Sequence, residues 1–175
     1  MMHVRLAAVF VAATLAFAAP PAHSAASLTD PQIAHIAYTA GVIDIKAANL
    51  ALKKSKNPDV IAFAKNMVSD HKAVNDKALA LVKKLKVTPQ DNDTSKALVK
   101  QANAEAAKLG KLKGAAFDKA YAANELAYHK TVNHALEATL IPNAKNPELK
   151  DLLSTGLKIF EGHQEHAAML VNELK

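Results

Sequence analysis

Apolar side chains recur every three to four residues along most of this sequence, which is the spacing of one face of an α-helix. Four long stretches show the pattern, at roughly residues 30–54, 58–86, 115–140 and 147–174. A shorter stretch, from Leu98 to Leu109, repeats it between the second and third. The pattern predicts an all-α protein, an antiparallel four-helix bundle with a short extra helix in the connection between helix 2 and helix 3.

Three of the four long helices have a marked start, because a capping side chain stands directly before a proline. The three pairs are Asp30-Pro31, Asn57-Pro58 and Asn146-Pro147. Proline suits the first helical turn, where its missing N–H would have no partner in any case. The sequence Lys-Asn-Pro followed by an acid occurs at both 56–59 and 145–148, which hints at two related helical hairpins.

The N-terminal residues have the features of a secretory signal. Arg5 precedes an apolar run of 14 residues, Leu6 to Ala19, and small side chains follow near Ser24. The run is shorter than the roughly 20 residues that a membrane-spanning helix needs. We expect a signal peptide at 1–25, cleaved within 24–26, and a bundle domain at 26–175 in the periplasm. Association with the outer membrane and an uncleaved anchor stay open as alternatives.

Composition removes several classes of function. The chain of 175 residues has no cysteine, which excludes disulfides, thiolate zinc sites, iron–sulfur clusters and cysteine nucleophiles. Its one arginine lies in the predicted signal, so the exported chain would carry 21 lysines against 16 acids. Without arginine forks and with few stacking aromatics, the sequence predicts no nucleic-acid binding. Weak contact with anionic envelope surfaces stays open, and no protein partner is indicated.

Five ionisable side chains fall on or beside the apolar stripes when each residue is placed at 100° around its helix. They are Asp44, His71, Glu125, His129 and His163. By the same test His35 and His134 point outward, and His166 lies at the boundary. In a bundle whose helices alternate up and down, the five would lie about 15 to 24 Å from the end that holds both tight connections. They would then form a layer about two turns thick.

Buried carboxylates and imidazoles are costly unless they are paired, hydrogen-bonded or bound to metal. Three imidazoles with one or two carboxylates suit zinc, copper(II), iron or nickel. We therefore expect a transition-metal site at Asp44, His71, Glu125, His129 and His163. A tyrosine, Tyr121 or Tyr128, is expected to orient an imidazole.

Other interpretations of these residues remain open. The polar layer could be a metal-free hydrogen-bond network that sets helix register in a structural or interaction module of the cell envelope. A third hypothesis is an oxidase-type enzyme with an open coordination position, although the sequence favours a binding protein. Met67 could add a sulfur ligand, and His163 with His166 could hold a surface ion. No Ser-His-Asp order, phosphate loop or dinucleotide fingerprint supports a hydrolase or a nucleotide enzyme.

Several segments together resemble an exported bacterial family catalogued as domain of unknown function 4142, whose members are often described as outer-membrane proteins. The resemblance covers about Ile33 to Leu174. The matching segments are Gly41-Val-Ile-Asp44, Asn49-Leu-Ala-Leu52, Asn57-Pro-Asp-Val60, Phe63-Ala64, Met67-Val-Ser-Asp-His71, Gly114 to Tyr121 leading to His129, and Leu149 to Leu157 leading to His163.

This resemblance implies a ferritin-like antiparallel bundle in the envelope, and it matches His71, His129 and His163 to the family's recurring histidines. At Asp44 the family commonly has Glu. The resemblance supplies no activity, so the physiological role, whether metal handling or envelope stress, stays open. Ferritin-like di-iron sites use Glu-x-x-His pairs, and this sequence contains none, which argues against a ferroxidase.

Overall fold

The computed structural model describes residues 28–175, so the predicted signal peptide, 1–25, lies outside the described residues. Within that range the chain is helical and contains no strand. The helices are α1 (Asp30–Lys54), α2 (Pro58–Lys84), α3 (Asp93–Lys111), α4 (Gly114–Ala135), α5 (Ile141–Asn143) and α6 (Pro147–Glu173), with a π-helical turn at Leu136–Leu140. The predicted all-α bundle is confirmed. No helix among residues 28–175 has the length and apolar character needed to cross a membrane.

Two of the three predicted helix starts have the expected capping geometry. Asn57 and Asn146 each accept backbone N–H groups two and three residues further along, and proline follows each of them. The start of α1 differs, because its N-cap is Thr29. The carboxylate of Asp30 instead accepts the backbone N–H groups of Lys145 and Asn146, at 2.7 and 2.8 Å. Asp30 thus joins the start of α1 to the start of α6.

Contacts between helix ends fix the direction of each helix. Lys84, the last residue of α2, pairs with Glu148 in the first turn of α6. Lys119, in the second turn of α4, donates to the carbonyl of Lys175, just beyond the end of α6. Both α2 and α4 are therefore antiparallel to α6, and they run in the same direction as each other.

This arrangement corrects the expected alternation of up and down helices. The predicted short extra helix is α3, which has 19 residues and a length of about 28 Å. Although α3 is shorter than α2, it carries the chain back to the end where α2 began, as the contact between Lys54 and the carbonyl of Gly110 shows. The two tight connections therefore lie at opposite ends of the bundle.

Two hydrophobic clusters fill the interior, one toward each end of the bundle. One surrounds the connection between α1 and α2 and contains Ala48, Ala51, Val60, Phe63, Ala64, Met67, Leu109, Phe117, Tyr121, Ala122, Ala167 and Leu170. The other surrounds the connection between α4 and α6 and contains Ile33, Ala34, Ile36, Leu136, Leu140, Ala144, Leu149, Leu153 and Phe160. On each of the four long helices α1, α2, α4 and α6, the ionisable residues selected from the sequence lie between the two clusters.

Candidate metal centre

The structure brings together the five side chains that the sequence analysis selected. Asp44 comes from α1, His71 from α2, Glu125 and His129 from α4, and His163 from α6. Each is at most 6% exposed. Four helices thus place ionisable groups in one buried layer, where water cannot compensate them.

The carboxylate of Asp44 contacts two imidazoles. Its Oδ2 atom lies 3.2 Å from Nε2 of His71 and 3.4 Å from Nε2 of His129. Neither contact has the angles of a hydrogen bond, and all three atoms are buried without a hydrogen-bond partner. Buried polar atoms normally have partners, so this group of potential ligand atoms is an exception that a bound ion would explain.

The backbone orients His129. Its Nδ1 lies 3.0 Å from the carbonyl oxygen of Glu125, one turn earlier on α4. Since a carbonyl only accepts, Nδ1 carries the hydrogen and Nε2 keeps a free lone pair directed toward Asp44. The expected role of a tyrosine is not observed at Tyr128, whose hydroxyl donates instead to the carbonyl of Ala40 at 2.9 Å.

Asp70, which the sequence pattern does not single out, contacts the imidazole of His163 and orients it. Nε2 of His163 lies 3.0 Å from Oδ2 of Asp70, whose side chain is 44% exposed. A carboxylate behind an imidazole is the usual support for a metal-binding histidine, and it leaves the opposite nitrogen as the ligand atom. Nδ1 of His163 is buried without a hydrogen-bond partner. The helical-wheel test did not select Asp70, because it lies at the edge of the apolar stripe of α2, where it is half-buried.

The three imidazoles form a compact triangle. Their ring centroids are 5.7 Å apart for His71 and His129, 5.2 Å for His71 and His163, and 5.4 Å for His129 and His163. Phe160 stacks on His71 at 4.4 Å with an interplanar angle of 10° and limits the movement of that ring. One nitrogen from each ring lies within 4.8 Å of the other two, and the same holds for one ligand atom each of Asp44, Glu125 and His129. His129 belongs to both trios.

Burial makes the uncharged forms of these groups favourable. It raises the pKa of Asp44 to about 8, and it raises the pKa of Glu125 well above its usual value, with a further increase from the Asp44 charge. It lowers the pKa of His71 to about 2, helped by repulsion from His129 and His163, and lowers that of His129 to about 4. Neutral imidazoles are the form that binds metal. A bound cation would compensate the negative charge that Asp44 and Glu125 carry once they ionise.

The other histidines of residues 28–175 and Met67 lie outside the centre. His134 is exposed, as predicted, whereas His35 is half-buried and not fully outward. His166 packs edge-on against Phe63 with ring centroids 5.0 Å apart, which gives the proposed surface ion at His163 and His166 no support. Met67 is fully buried in the hydrophobic cluster around the α1–α2 connection.

A wide groove of about 1640 Å³ between α1, α3 and α4 reaches the carboxylate side of the centre. Both Asp44 and Glu125 line it, together with half-buried and exposed residues of α3. The groove thus borders the carboxylates of the centre.

Two solved structures share this fold. A DUF305 protein of Streptomyces coelicolor, described as secreted, aligns with a TM-score of 0.70 and 13% identity over 82% of this chain and 91% of its own. CopM in the Cu(II)-bound form aligns with a TM-score of 0.65 and 12% identity over 85% of this chain and 99% of its own. At such low identity the likeness shows the fold alone. No protein with a curated function matches the sequence significantly.

The family resemblance noted in the sequence is confirmed by a match to residues 15–170, which is most of the chain. That stretch includes all the residues of the centre and every long helix up to the last turn of α6. The chain therefore belongs to the family described as domain of unknown function 4142 (DUF4142).

Proposed function

We propose that this protein binds a transition-metal ion in its interior through Asp44, His71, Glu125, His129 and His163. One observation carries the proposal: ligand atoms form two trios that share His129, each within 4.8 Å, and several of these atoms lack any hydrogen-bond partner. A structural hydrogen-bond network would be expected to satisfy its own members.

The charge of the donor set supports a divalent ion. Three neutral imidazoles contribute no charge, and the ionised carboxylates of Asp44 and Glu125 balance a charge of +2. A buried site with no net charge avoids most of the desolvation cost that an isolated ion would bring. Hydrogen bonds to the Glu125 carbonyl and to Asp70 hold two of the imidazoles in a metal-binding tautomer.

Copper(II) is the ion that we propose first. Mixed imidazole and carboxylate donors bind it more tightly than the other divalent ions of the first transition series. The similarly folded CopM is a copper(II)-bound protein, which supports the choice without deciding it. Zinc, nickel and iron are the competitors, because the same donors accept them.

We further propose that this protein is a ferritin-like bundle and that it acts as a binding protein and not as a ferroxidase. One long crossover, here α3, between two helical hairpins is the connectivity of ferritin-like folds. The absence of Glu-x-x-His pairs argues against a di-iron centre. Oxygen consumption on addition of ferrous iron would support the oxidase hypothesis and contradict this proposal.

Export is the remaining part of the proposal. We infer that 1–25 direct secretion and that 26–175 act in the periplasm, in metal handling or envelope stress, with outer-membrane association left to experiment. The apolar run of residues 6–19 and the fold shared with a protein described as secreted support this location. Mass spectrometry of the mature N-terminus from a periplasmic extract would test it.

The metal proposal is tested by metal content and affinity in an untagged protein. We expect about one copper(II) ion per chain in the parent, and loss of that binding in the double variant His71→Ala, His129→Ala. The matched control is His134→Ala, which removes an exposed imidazole. Equal binding by all three proteins would place the ion elsewhere, and no binding by the parent would favour the metal-free structural or interaction module.

A further inference from the structure

A second cavity lies directly beside the candidate metal centre, on the side toward the connection between α4 and α6. We propose that this cavity binds a small amphiphile with an aliphatic body and one uncharged polar head. The volume is about 290 Å³. The inference goes beyond metal binding and concerns the metal-free protein, in which Asp44, His71 and His129, proposed above as metal ligands, are free to contact the ligand head.

The body of the cavity is aliphatic. Helices α1, α2, α4 and α6 all contribute to the lining, which includes Ile36, Val74, Ala78, Leu136 and Leu153. Several positions carry alanine or glycine where a larger side chain would occupy the space. An apolar cavity of this kind holds water poorly and takes apolar molecules readily.

One end of the cavity is polar. Asp44, His71 and His129 line it, and the two carboxylate oxygens of Asp44 and both ring nitrogens of His71 are buried without hydrogen-bond partners. The amide of Asn75 lies at the same end, packed against Gly41, where any Cβ would clash with it. A ligand head that both donates and accepts hydrogen bonds would satisfy these atoms, which an apolar molecule could not do.

The dimensions set the size of the ligand. An engineered apolar cavity of about 150 Å³ binds benzene, so a cavity of about 290 Å³ fits a body of roughly eight to ten carbon atoms. The head must be uncharged, since a carboxylate head would be buried beside the carboxyl group of Asp44 with no cation to pair with it. A primary aliphatic alcohol meets both requirements.

The test uses the full exported chain, freed of metal with a chelator, and 1-octanol as the probe below its solubility limit. Amide chemical shifts in a two-dimensional NMR titration report binding and its location. We expect saturable shifts at Asn75 and His71, and weaker binding of n-octane and of octanoate. Ala78→Leu fills the cavity and should weaken binding at least about tenfold, a loss of about 1.4 kcal/mol.

Ala73→Leu is the matched control, because Ala73 lies on the same helix but is exposed and outside the lining. It should bind 1-octanol as the parent does. If Ala78→Leu does not fold, Ala37→Leu fills the same cavity from α1. Absence of saturable binding to the parent, or equal binding by the filled variant, would overturn the proposal. Equal affinity for 1-octanol and n-octane would overturn the assignment of a polar head.

Failure of this test leaves the metal proposal untouched, since the titration is made without metal. Conversely, a parent that binds 1-octanol but no copper(II) would support the cavity and contradict the metal site. The two proposals therefore fail separately.

Discussion

The carboxylate of Asp44 and the imidazole of His71 meet at 3.2 Å in the centre of the bundle, yet burial disfavours the charged form of each. The pKa of the acid is raised to about 8 and that of the imidazole is lowered to about 2. Near neutral pH the metal-free pair is therefore not a salt bridge. In the metal-free protein a proton occupies the carboxyl group of Asp44, and a bound metal ion would replace that proton.

The stability of the metal-free protein should depend on pH through Asp44. Burial raises its pKa from 3.8 to about 8, so between these values the folded protein holds a proton that the unfolded chain releases. The free energy of unfolding then falls as pH rises, by at most about 1.4 kcal/mol per pH unit. Asp44→Asn cannot lose this proton, and its stability relative to the parent should rise from about pH 5 to about pH 8.

Urea unfolding of chelator-treated protein at several pH values measures the effect. Because Asp44 contacts both imidazoles, the difference reports the Asp44 carboxyl group together with its effect on His71 and His129. Asp76→Asn, an exposed site on α2, is the control for the loss of a carboxyl group. A difference for Asp44→Asn that does not change with pH would contradict the raised pKa.

Copper(II) binding near neutral pH should release protons. The carboxyl groups of Asp44 and Glu125 are protonated in the metal-free interior and must ionise to bind an ion, so we expect about one to two protons per metal. Calorimetric titration in buffers of different ionisation enthalpy gives this number. Asp44→Asn should release about one proton fewer, whereas a release near zero in the parent would mean that the carboxyl groups do not ligate.

Asp70 should strengthen metal binding without being a ligand. Its bond to Nε2 of His163 fixes the tautomer that presents Nδ1 to the centre. Loss of such a supporting carboxylate typically weakens metal affinity by about 10- to 100-fold, and Asp70→Asn should do so with stoichiometry unchanged. Competition with a chromophoric chelator measures the affinity. An affinity equal to that of the Asp76→Asn control would show that Asp70 plays no part.

Gly41 should be required for the packing of α1 on α2. A Cβ at this position would overlap the side-chain amide of Asn75, which is buried and would have to shift. Gly41→Ala should therefore lower stability by about 1 to 3 kcal/mol, seen as a lower midpoint of thermal unfolding. Gly162→Ala, where a Cβ meets nothing within 4 Å, should be neutral or stabilising. Equal effects at the two sites would contradict the clash.

The convergence of the centre was predicted from a partly wrong topology. An alternation of up and down helices predicts both tight connections at one end, whereas they lie at opposite ends because α3 carries the chain back along the bundle. The layer survives the correction because Glu125 on the reversed α4 and His163 on the reversed α6 lie near the middle of their helices. Reversing a helix about its midpoint changes the height of a central residue very little.

The sequence by itself determined the helices, the caps at Asn57 and Asn146, the family and the inward direction of the five ionisable residues. These follow from local rules, since one turn of α-helix fixes which side chains share a face. Only the tertiary structure decided the direction of α4, the contact of Asp44 with two imidazoles, the support of His163 by Asp70 and the stacking of Phe160 on His71. Those relationships join residues that are far apart in sequence, and they depend on how whole helices pack against one another, which no local pattern encodes.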